Sequence, residues 1–147
     1  MPAELGEAPD LPDAEYPLVL NTGRQLEHWH TGVMTRRSLA LDALAPEARV
    51  EVHPDDAERL GIADGDWTRL TSRRGSVQVQ AKVTDDVALG TLFLPMHFRE
   101  AAANLLTSPE LDPYGKIPEF KICAVRLERL ATPHGEIAQH NDTSDTA

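Results

Sequence analysis

The sequence predicts a mostly β domain that folds as a barrel of short strands. Six or so short apolar or alternating segments are separated by turns rich in glycine, proline and aspartate. Many short strands with frequent turn signals favour a barrel over a helical fold. The chain has 147 residues, of which 41% are hydrophobic and 5% aromatic. One core built mainly from Val, Leu, Ile and Ala is therefore expected.

The predicted strands are recognised by apolar runs or by alternation of apolar and polar residues. The segment from Val77 to Val83 alternates without a break, which places one face in the core and the other in water. Gly23 ends the first strand and Pro54 ends the second, because both residue types interrupt regular structure. In chain order, the strands are expected at residues 16–22, 49–53, 67–72, 77–83, 90–95 and 120–127.

The clearest predicted helix covers residues 54–61. Pro54 suits a first helical turn, the acidic residues after it favour the positive end of the helix dipole, and Gly61 ends the helix. Shorter helical segments are expected near residues 36–45, where an irregular turn is the alternative, and 100–106. Polar or Pro/Gly-rich loops are expected at residues 24–32 and 111–118.

The charge of the chain is concentrated at its ends. The formal net charge is −10, and residues 1–15 and 131–147 hold 8 of the 24 acidic residues and none of the 14 basic ones. We expect both ends to be disordered acidic tails around one domain at 16–130. Because the middle is nearly neutral, it need not repel an anionic ligand. It also lacks the broad basic face typical of nucleic-acid binders.

No apolar run approaches the length needed to span a membrane, and the N-terminal stretch has neither the basic nor the apolar region of a signal peptide. A cytoplasmic location is therefore expected. The single cysteine, Cys123, cannot form a disulfide framework, an iron–sulfur cluster or a structural zinc site by itself. We interpret it as a small buried residue of the last strand.

Three segments carry a family resemblance. The first is Thr-Gly-Arg-Gln-Leu-Glu-His-Trp-His-Thr-Gly at 22–32, followed by Met-Thr-Arg-Arg at 34–37. The second runs from His-Pro-Asp-Asp-Ala at 53–57 through Leu-Gly-Ile at 60–62 to Ser-Arg-Arg-Gly at 72–75. The third combines Ala-Ala-Ala-Asn-Leu-Leu-Thr at 101–107 with Leu-Asp-Pro at 111–113 and Lys-Ile-Pro-Glu-Phe-Lys at 116–121.

Over residues 16–130, the chain resembles the C-terminal domain of the molybdopterin-dinucleotide oxidoreductases, which include formate dehydrogenases and nitrate reductases. The third segment is most similar to the formate dehydrogenase branch. The resemblance implies a six-stranded double-psi β-barrel with short helices. It also implies that loops of the barrel hold a molybdopterin guanine dinucleotide, whose molybdenum or tungsten is held by the cofactor and not by this chain. The implied contacts are Thr22, Gly23, Arg24, Leu26, His28, Trp29, His30, Thr31, Asn104, Phe120 and Lys121, with His97 as a weaker candidate.

The residue types suit such a ligand. Glycine lets backbone N–H groups approach a pyrophosphate closely, and Arg24 and Lys121 can neutralise its charge. Asn104 offers both a donor and an acceptor to the edge of a pterin or guanine. The flat faces of Trp29 and Phe120 can stack on a ring.

Each of these residues also has an ordinary structural explanation. Arg24 and Lys121 could be surface charges, Trp29 could fill the core, and Asn104 could cap a helix. Since residues two apart share one side of an extended chain, His28 and His30 also suggest zinc, but no third and fourth ligand is evident. The pairs Arg36-Arg37 and Arg73-Arg74 are either solvated turn charges or interface groups.

No catalytic residue is assigned, because the family's metal ligand and iron–sulfur cysteines belong to other domains. The resemblance therefore implies a partner: the remaining catalytic domains or a large subunit that carries the iron–sulfur cluster and the metal ligand. A nitrate reductase is the alternative within the family. A standalone interaction module on the same barrel is the alternative from another class. Regulation of transcription by a swapped barrel is disfavoured by the acidic charge.

Overall fold

The computed structural model describes residue 8, residues 10–112 and residues 114–131. Six strands form a closed barrel in the order β1-β5-β2-β4-β3-β6. This arrangement confirms the mostly β, six-stranded double-psi barrel expected from the sequence. The strands are β1 (Leu18–Gly23), β2 (Arg49–Val52), β3 (Trp67–Ser72), β4 (Ser76–Val83), β5 (Thr91–Pro95) and β6 (Cys123–Arg129).

The barrel contains both parallel and antiparallel strand pairs. Strands β1 and β5 are parallel, as are β2 and β4, whereas the other four neighbouring pairs are antiparallel. In the first parallel pair, Gly23 lies opposite Pro95. The carboxyl ends of β1 and β5 therefore meet at one edge, and the loops that follow them start side by side.

The barrel interior is filled by aliphatic side chains that alternate along each strand. On β4, the burial of Val77, Val79 and Ala81 follows the period of two that the sequence indicated. Cys123 is fully buried in this core, which confirms its interpretation as a small core residue. The largest buried side chains on the strands are Leu18, Leu20, Val50, Val52, Leu70, Val79, Leu92, Leu94 and Val125.

Two short α-helices lie outside the barrel: α1 (Leu39–Leu44) and α2 (Pro54–Leu60). Helix α2 follows its sequence signals closely. The Asp55 backbone N–H donates to Nδ1 of the N-cap residue His53, and Gly61 ends the helix with a φ of 66°. Among the described residues, no helix is long and apolar enough to cross a membrane.

Each of the two shorter expected helical segments is divided into two pieces. The segment at 36–45 divides into a 3₁₀ turn at Thr35–Arg37 and helix α1, and the segment at 100–106 divides into turns at Arg99–Ala101 and Ala103–Leu105. The last strand begins at Cys123 and not at residue 120. It starts late because Lys121 donates its N–H to the nearby Glu119 side chain.

The N-terminal segment differs from the expected tail at residues 10–15. Asp10 is 2% exposed, and its carboxylate accepts hydrogen bonds from Arg73, Arg74 and the Ala124 backbone N–H. Asp13 pairs with Arg73 as well. A single acidic residue in a Pro-rich segment gives no signal of partners more than 60 positions away, so the sequence could not identify this contact. The expected tail at 131–147 lies outside the described residues, except for Ala131.

Candidate functional site

The predicted contact residues come from loops that leave one edge of the barrel. Beyond the Gly23–Pro95 pair, the Met96 backbone N–H donates to the Gly23 carbonyl at 3.0 Å. The loop after β1 (residues 24–34) and the loop after β5 (residues 96–106) therefore begin in direct contact. Strand β6 runs antiparallel to β1, with Cys123 opposite Leu20. Its approach segment, 119–122, consequently reaches the same edge.

Thr22, Phe120 and Lys121 are joined by two hydrogen bonds at this edge. The buried Thr22 hydroxyl donates to the Phe120 carbonyl at 2.7 Å, and Lys121 Nζ donates to the Thr22 carbonyl at 2.6 Å. Thr22 thus holds the β6 approach segment and has no hydroxyl proton left for a phosphate. The Phe120 ring remains 44% exposed, so its face is available for stacking.

The first loop presents several of its predicted residues to solvent. Leu26 is 98% exposed and Trp29 is 61% exposed, which excludes Trp29 as a core filler. The Arg24 guanidinium lies 5.5 Å from the Trp29 ring centroid, and Trp29 also meets His30 edge to face at 4.5 Å. Thr31 is exposed as well. A cation and an aromatic face are therefore available together on one loop.

His28 is buried, unlike its neighbours on the loop. It is 2% exposed, with Nε2 lying 2.8 Å from the Ala45 carbonyl and Nδ1 lying 3.2 Å from the Thr35 hydroxyl. Since a carbonyl can only accept, Nε2 carries the proton and Nδ1 accepts from Thr35. Thr35 in turn accepts the Trp29 backbone N–H. Both ring nitrogens are thus occupied by protein groups, and His28 fixes the loop instead of offering a contact of its own.

His97 joins the first loop to the loop after β5. It is 3% exposed, accepts the Gln25 backbone N–H on Nε2 at 3.0 Å, and donates from Nδ1 to the His30 carbonyl. Because one nitrogen accepts and the other donates, the imidazole is neutral. Burial lowers the pKa of His97, which agrees with this assignment. In this structure, His97 positions the loop and has no free nitrogen for a ligand.

Arg36 is a structural residue of the site that the sequence left as a solvated or interface charge. It pairs with Glu100 at 2.9 Å and with Asp42 at 3.5 Å, and its guanidinium lies 5.0 Å from the Phe98 ring centroid. Gly32 has a φ of 74°, and a Cβ there would lie 3.0 Å from the Arg36 side chain. Arg36 therefore closes the first loop onto the loop after β5.

Asn104 lies within the exposed 3₁₀ turn Ala103–Leu105, on the loop after β5. It caps no helix, because the residue preceding this turn is Ala102. The turn rests on the β3–β4 hairpin, where a Cβ on Gly75 would lie 2.9 Å from the Leu105 carbonyl oxygen. The Asn104 side chain is thus held on a closely packed backbone and faces solvent.

A cleft of about 450 Å³ borders the first loop but contains none of the twelve predicted contacts. Its walls carry three carboxylates, from Glu27, Glu47 and Glu51, and two cations, from Arg49 and Lys82. Lys82 is already bonded to Glu51 at 2.8 Å. The excess of carboxylates disfavours a pyrophosphate there.

The histidine pair shows no metal geometry. Across residues 8, 10–112 and 114–131, no three His, Cys, Asp or Glu side chains are grouped to hold an ion. Cys123 is buried, and burial raises its thiol pKa to about 12. A protonated, enclosed thiol cannot serve as a metal ligand or a nucleophile at neutral pH.

The class of this barrel domain is shown by comparison with known proteins. Residues 18–124 match the family described as the molydopterin dinucleotide binding domain, and the chain belongs to that family. It is 46% identical over 129 residues to the F420-dependent formate dehydrogenase subunit alpha of Methanocaldococcus jannaschii. It is 48% identical over 124 residues to a nitrate reductase of Symbiobacterium thermophilum.

The chain is short compared with these relatives. The alignments cover 88% and 82% of this chain but 19% and 16% of the two relatives. Among solved structures, acetylene hydratase from Pelobacter acetylenicus superposes with a TM-score of 0.68 at 19% identity, over 78% of this chain and 18% of that one. At that identity, the superposition shows a shared barrel fold.

Proposed function

We propose that this chain binds the bis-molybdopterin guanine dinucleotide cofactor within a formate dehydrogenase-like molybdenum or tungsten oxidoreductase. The observation that carries the proposal is the meeting of three loops at the carboxyl ends of β1 and β5. These loops bring Arg24, Trp29, Asn104 and Phe120 to solvent at one edge of the barrel. Family membership supports the class of cofactor.

Each exposed side chain suits a different chemical part of the cofactor. Arg24 can fork onto two pyrophosphate oxygens, and Lys121 adds a second positive charge beside Thr22. Trp29 and Phe120 offer faces for the ring systems, and Asn104 offers its amide to a heterocycle edge. His30 and Thr31 are exposed on the same loop and complete the polar set. Bound at this edge, the cofactor would supply the metal and the electron transfer.

The buried members of the predicted set act through the loop. The side-chain polar atoms of three of them, Thr22, His28 and His97, are hydrogen-bonded to other protein groups. We propose that these residues fix the loop in a binding conformation. Gly23 allows the turn to pack tightly, since a Cβ there would lie 2.6 Å from the Phe93 ring. Leu26 is an exposed aliphatic side chain, and we propose that it packs on the bound cofactor or on the partner.

We propose that the partner is the remainder of a catalytic subunit, which carries the iron–sulfur cluster and the metal ligand. The short coverage of the relatives supports this proposal, as does the absence of a usable thiol ligand among the described residues. A further support is a set of six exposed large apolar side chains within residues 26–44, which an interface with a partner would cover. It comprises Leu26, Trp29, Val33, Met34, Leu39 and Leu44.

Formate is the proposed substrate, and nitrate is the alternative. The formate dehydrogenase and nitrate reductase relatives are 46% and 48% identical to the chain, and the similarity of residues 101–107 and 116–121 to the formate dehydrogenase branch favours formate. The interaction-module alternative is supported by the same exposed apolar side chains, but it gives no role to the cation and amide at the barrel edge. The cytoplasmic location stays a prediction from the sequence.

The test is recovery of the tagged protein from its native cells, followed by analysis of metal, pterin and co-purifying protein. Co-recovery of an iron–sulfur protein with molybdenum or tungsten, and turnover of formate, would support the proposal. Turnover of nitrate but not formate would select the alternative in the family. Recovery of a protein partner without pterin or metal would favour the interaction module.

A further inference from the structure

Asp10 is a buried carboxylate that no part of the proposed cofactor site uses. It lies outside the strands, yet its side chain is enclosed at the end of the barrel. One oxygen bonds Arg73, and the other bonds Arg74 and the Ala124 backbone N–H. Three donors from two separate elements thus converge on one side chain. Without Asp10, this N–H and the two guanidinium groups would lose a partner that water replaces poorly.

The two arginines sit on the turn that joins β3 to β4. This turn, Arg73–Gly75, is closed by a hydrogen bond from the Ser72 N–H to the Gly75 carbonyl. Strands β1 and β3 both pair antiparallel with β6, so they run in the same direction and their carboxyl ends point to the same edge. The turn is therefore at the same edge of the barrel as the carboxyl end of β1, which is the edge of the proposed cofactor site.

The same turn supports the loop that carries Asn104. Gly75 lies against the Leu105 carbonyl, so closely that no Cβ fits between them. Arg74 Nη1 lies 3.7 Å from Cys123 Sγ, and the Cys123 thiol donates to the Leu106 carbonyl at 2.8 Å. The Leu105 carbonyl thus packs on the turn whose two arginines bond Asp10, and the Leu106 carbonyl is bonded by the thiol that lies beside Arg74.

We propose that Asp10 is a positioning residue for the cofactor-binding edge: its carboxylate fixes the Arg73–Gly75 turn against β6, and that turn fixes the backbone beside Asn104. The inference rests on the proposed function for the role of Asn104. Asp10, which precedes β1 in the chain, is therefore a working part of the binding edge. Asp10 acts on the ligand only through the turn and touches no part of the site itself.

The charges around Asp10 agree with this arrangement. Burial alone would raise the pKa of Asp10, but hydrogen bonds from Arg74 and the Ala124 N–H hold it below its ordinary value. Asp10 therefore stays ionised at neutral pH. Asp13 makes the natural comparison, because it bonds the same Arg73 but its side chain is 49% exposed and touches neither Arg74 nor Ala124.

Hydrogen exchange at the Leu105 and Leu106 amides tests the inference without any cofactor. These amides donate to the Ala102 and Ala103 carbonyls at 3.0 Å, so their exchange reports opening of the Asn104 turn. In Asp10→Asn, we expect exchange to accelerate about tenfold, since a charge-assisted hydrogen bond is lost. The matched variant Asp13→Asn should leave both rates within about twofold. Equal rates in the two variants would overturn the inference.

A second variant and a second measurement allow the inference to be tested even if the first variant does not fold. If Asp10→Asn fails to fold, Asp10→Glu keeps the charge but shifts it by one methylene, and the same two amides should exchange faster than in the unaltered protein. The inference would also be overturned if both Asp10→Glu and Asp10→Ala fold and the two amides exchange in each variant at the rate of the unaltered protein. Alkylation of Cys123, the single cysteine, should accelerate in parallel, because its thiol lies in the same cluster.

Cofactor content then separates this inference from the proposed function. In the protein isolated from its native cells, Asp10→Asn should lower the pterin content, and should lower it no further when Asn104→Ala is already present. If Asn104→Ala alone leaves the pterin content unchanged, the assignment of Asn104 fails while the exchange rates still decide the role of Asp10. If Asp10→Asn lowers the pterin content by the same factor in the unaltered protein and in Asn104→Ala, Asp10 does not act through Asn104.

Discussion

Lys121 donates a hydrogen bond from Nζ to the backbone carbonyl of Thr22, 99 residues earlier, at 2.6 Å. The bond ties the approach to the last strand to the end of the first one. Thr22 returns a bond from its hydroxyl to the Phe120 carbonyl. The two segments that carry most of the predicted contacts are therefore one structural unit, and the loop after β5 joins them through His97.

Arg24→Ala should lower cofactor content without lowering stability. Arg24 is exposed and contacts Trp29, so its loss removes a charge for the pyrophosphate and little packing. We expect about a tenfold loss of affinity, as for one charge-assisted hydrogen bond. The measurement is pterin per mole of protein, with the melting temperature measured beside it. Arg69→Ala, on the exposed face of β3, is the control and should change neither quantity.

His97→Gln should loosen the first loop and weaken the fold. Glutamine cannot accept from Gln25 and donate to the His30 carbonyl with the geometry of the imidazole. We expect a loss of about 1–3 kcal/mol in the free energy of unfolding, measured by urea denaturation. A free energy equal to that of the unaltered protein would contradict the linking role of His97.

The stability contributed by His97 should depend on pH. Its pKa is lowered in the fold, mainly by burial, while the unfolded chain has an ordinary histidine pKa of about 6.5. The contribution is therefore complete above pH 6.5 and is lost as the pH falls from there through the lowered folded pKa. Melting temperatures between pH 8 and 5 should fall more steeply for the unaltered protein than for His97→Gln. Parallel curves would exclude this titration.

Gly75→Ala should disturb the turn that carries Asn104. The added Cβ would lie 2.9 Å from the Leu105 carbonyl oxygen, and a backbone atom cannot move aside as a flexible side chain can. We expect a loss of about 1–3 kcal/mol in stability, as for other overpacked sites, and a lower pterin content. Ser76→Ala, at the exposed neighbouring position, is the control. An unchanged melting temperature in Gly75→Ala would show that the turn has room to shift.

Deleting residues 1–14 should lower the melting temperature. The sequence alone favoured little effect, because this segment has the composition of an acidic tail. The structure instead gives the buried Asp10 carboxylate three bonding partners. We expect a loss of about 2 kcal/mol, equivalent to roughly 5 °C for a domain of this size. A melting temperature within a degree of the full chain, measured by calorimetry, would refute this account of Asp10.

The barrel was predictable from the sequence because each strand carries its own local signal. Val77 to Val83 alternates, and helix α2 has a proline start and a glycine end, so these elements needed no knowledge of distant residues. The six strands were all predicted, and their bounds differ by a few residues at the ends. The start of β6 was missed because the Lys121 backbone N–H bonds to the Glu119 side chain and not to the backbone of a neighbouring strand.

The site was only partly predictable, because sequence does not reveal burial within a loop. His28 and Trp29 are adjacent in the same polar segment, yet His28 is enclosed and Trp29 is exposed. Which of them faces solvent depends on Thr35 and Ala45, which meet His28 only in the folded chain. The roles of Arg36 and Asp10 were missed for the same reason. Their partners lie on loops that come together only when the barrel closes.

The most direct test of the proposed function is the cofactor content of Arg24→Ala/Asn104→Ala, purified from native cells beside the unaltered protein. Pterin, guanine nucleotide and molybdenum or tungsten are measured per mole of protein, and the melting temperature confirms that both proteins are folded. If the barrel edge holds the dinucleotide, the double variant should lose most of all three components and stay folded. A folded double variant with the same content as the unaltered protein would contradict the assignment.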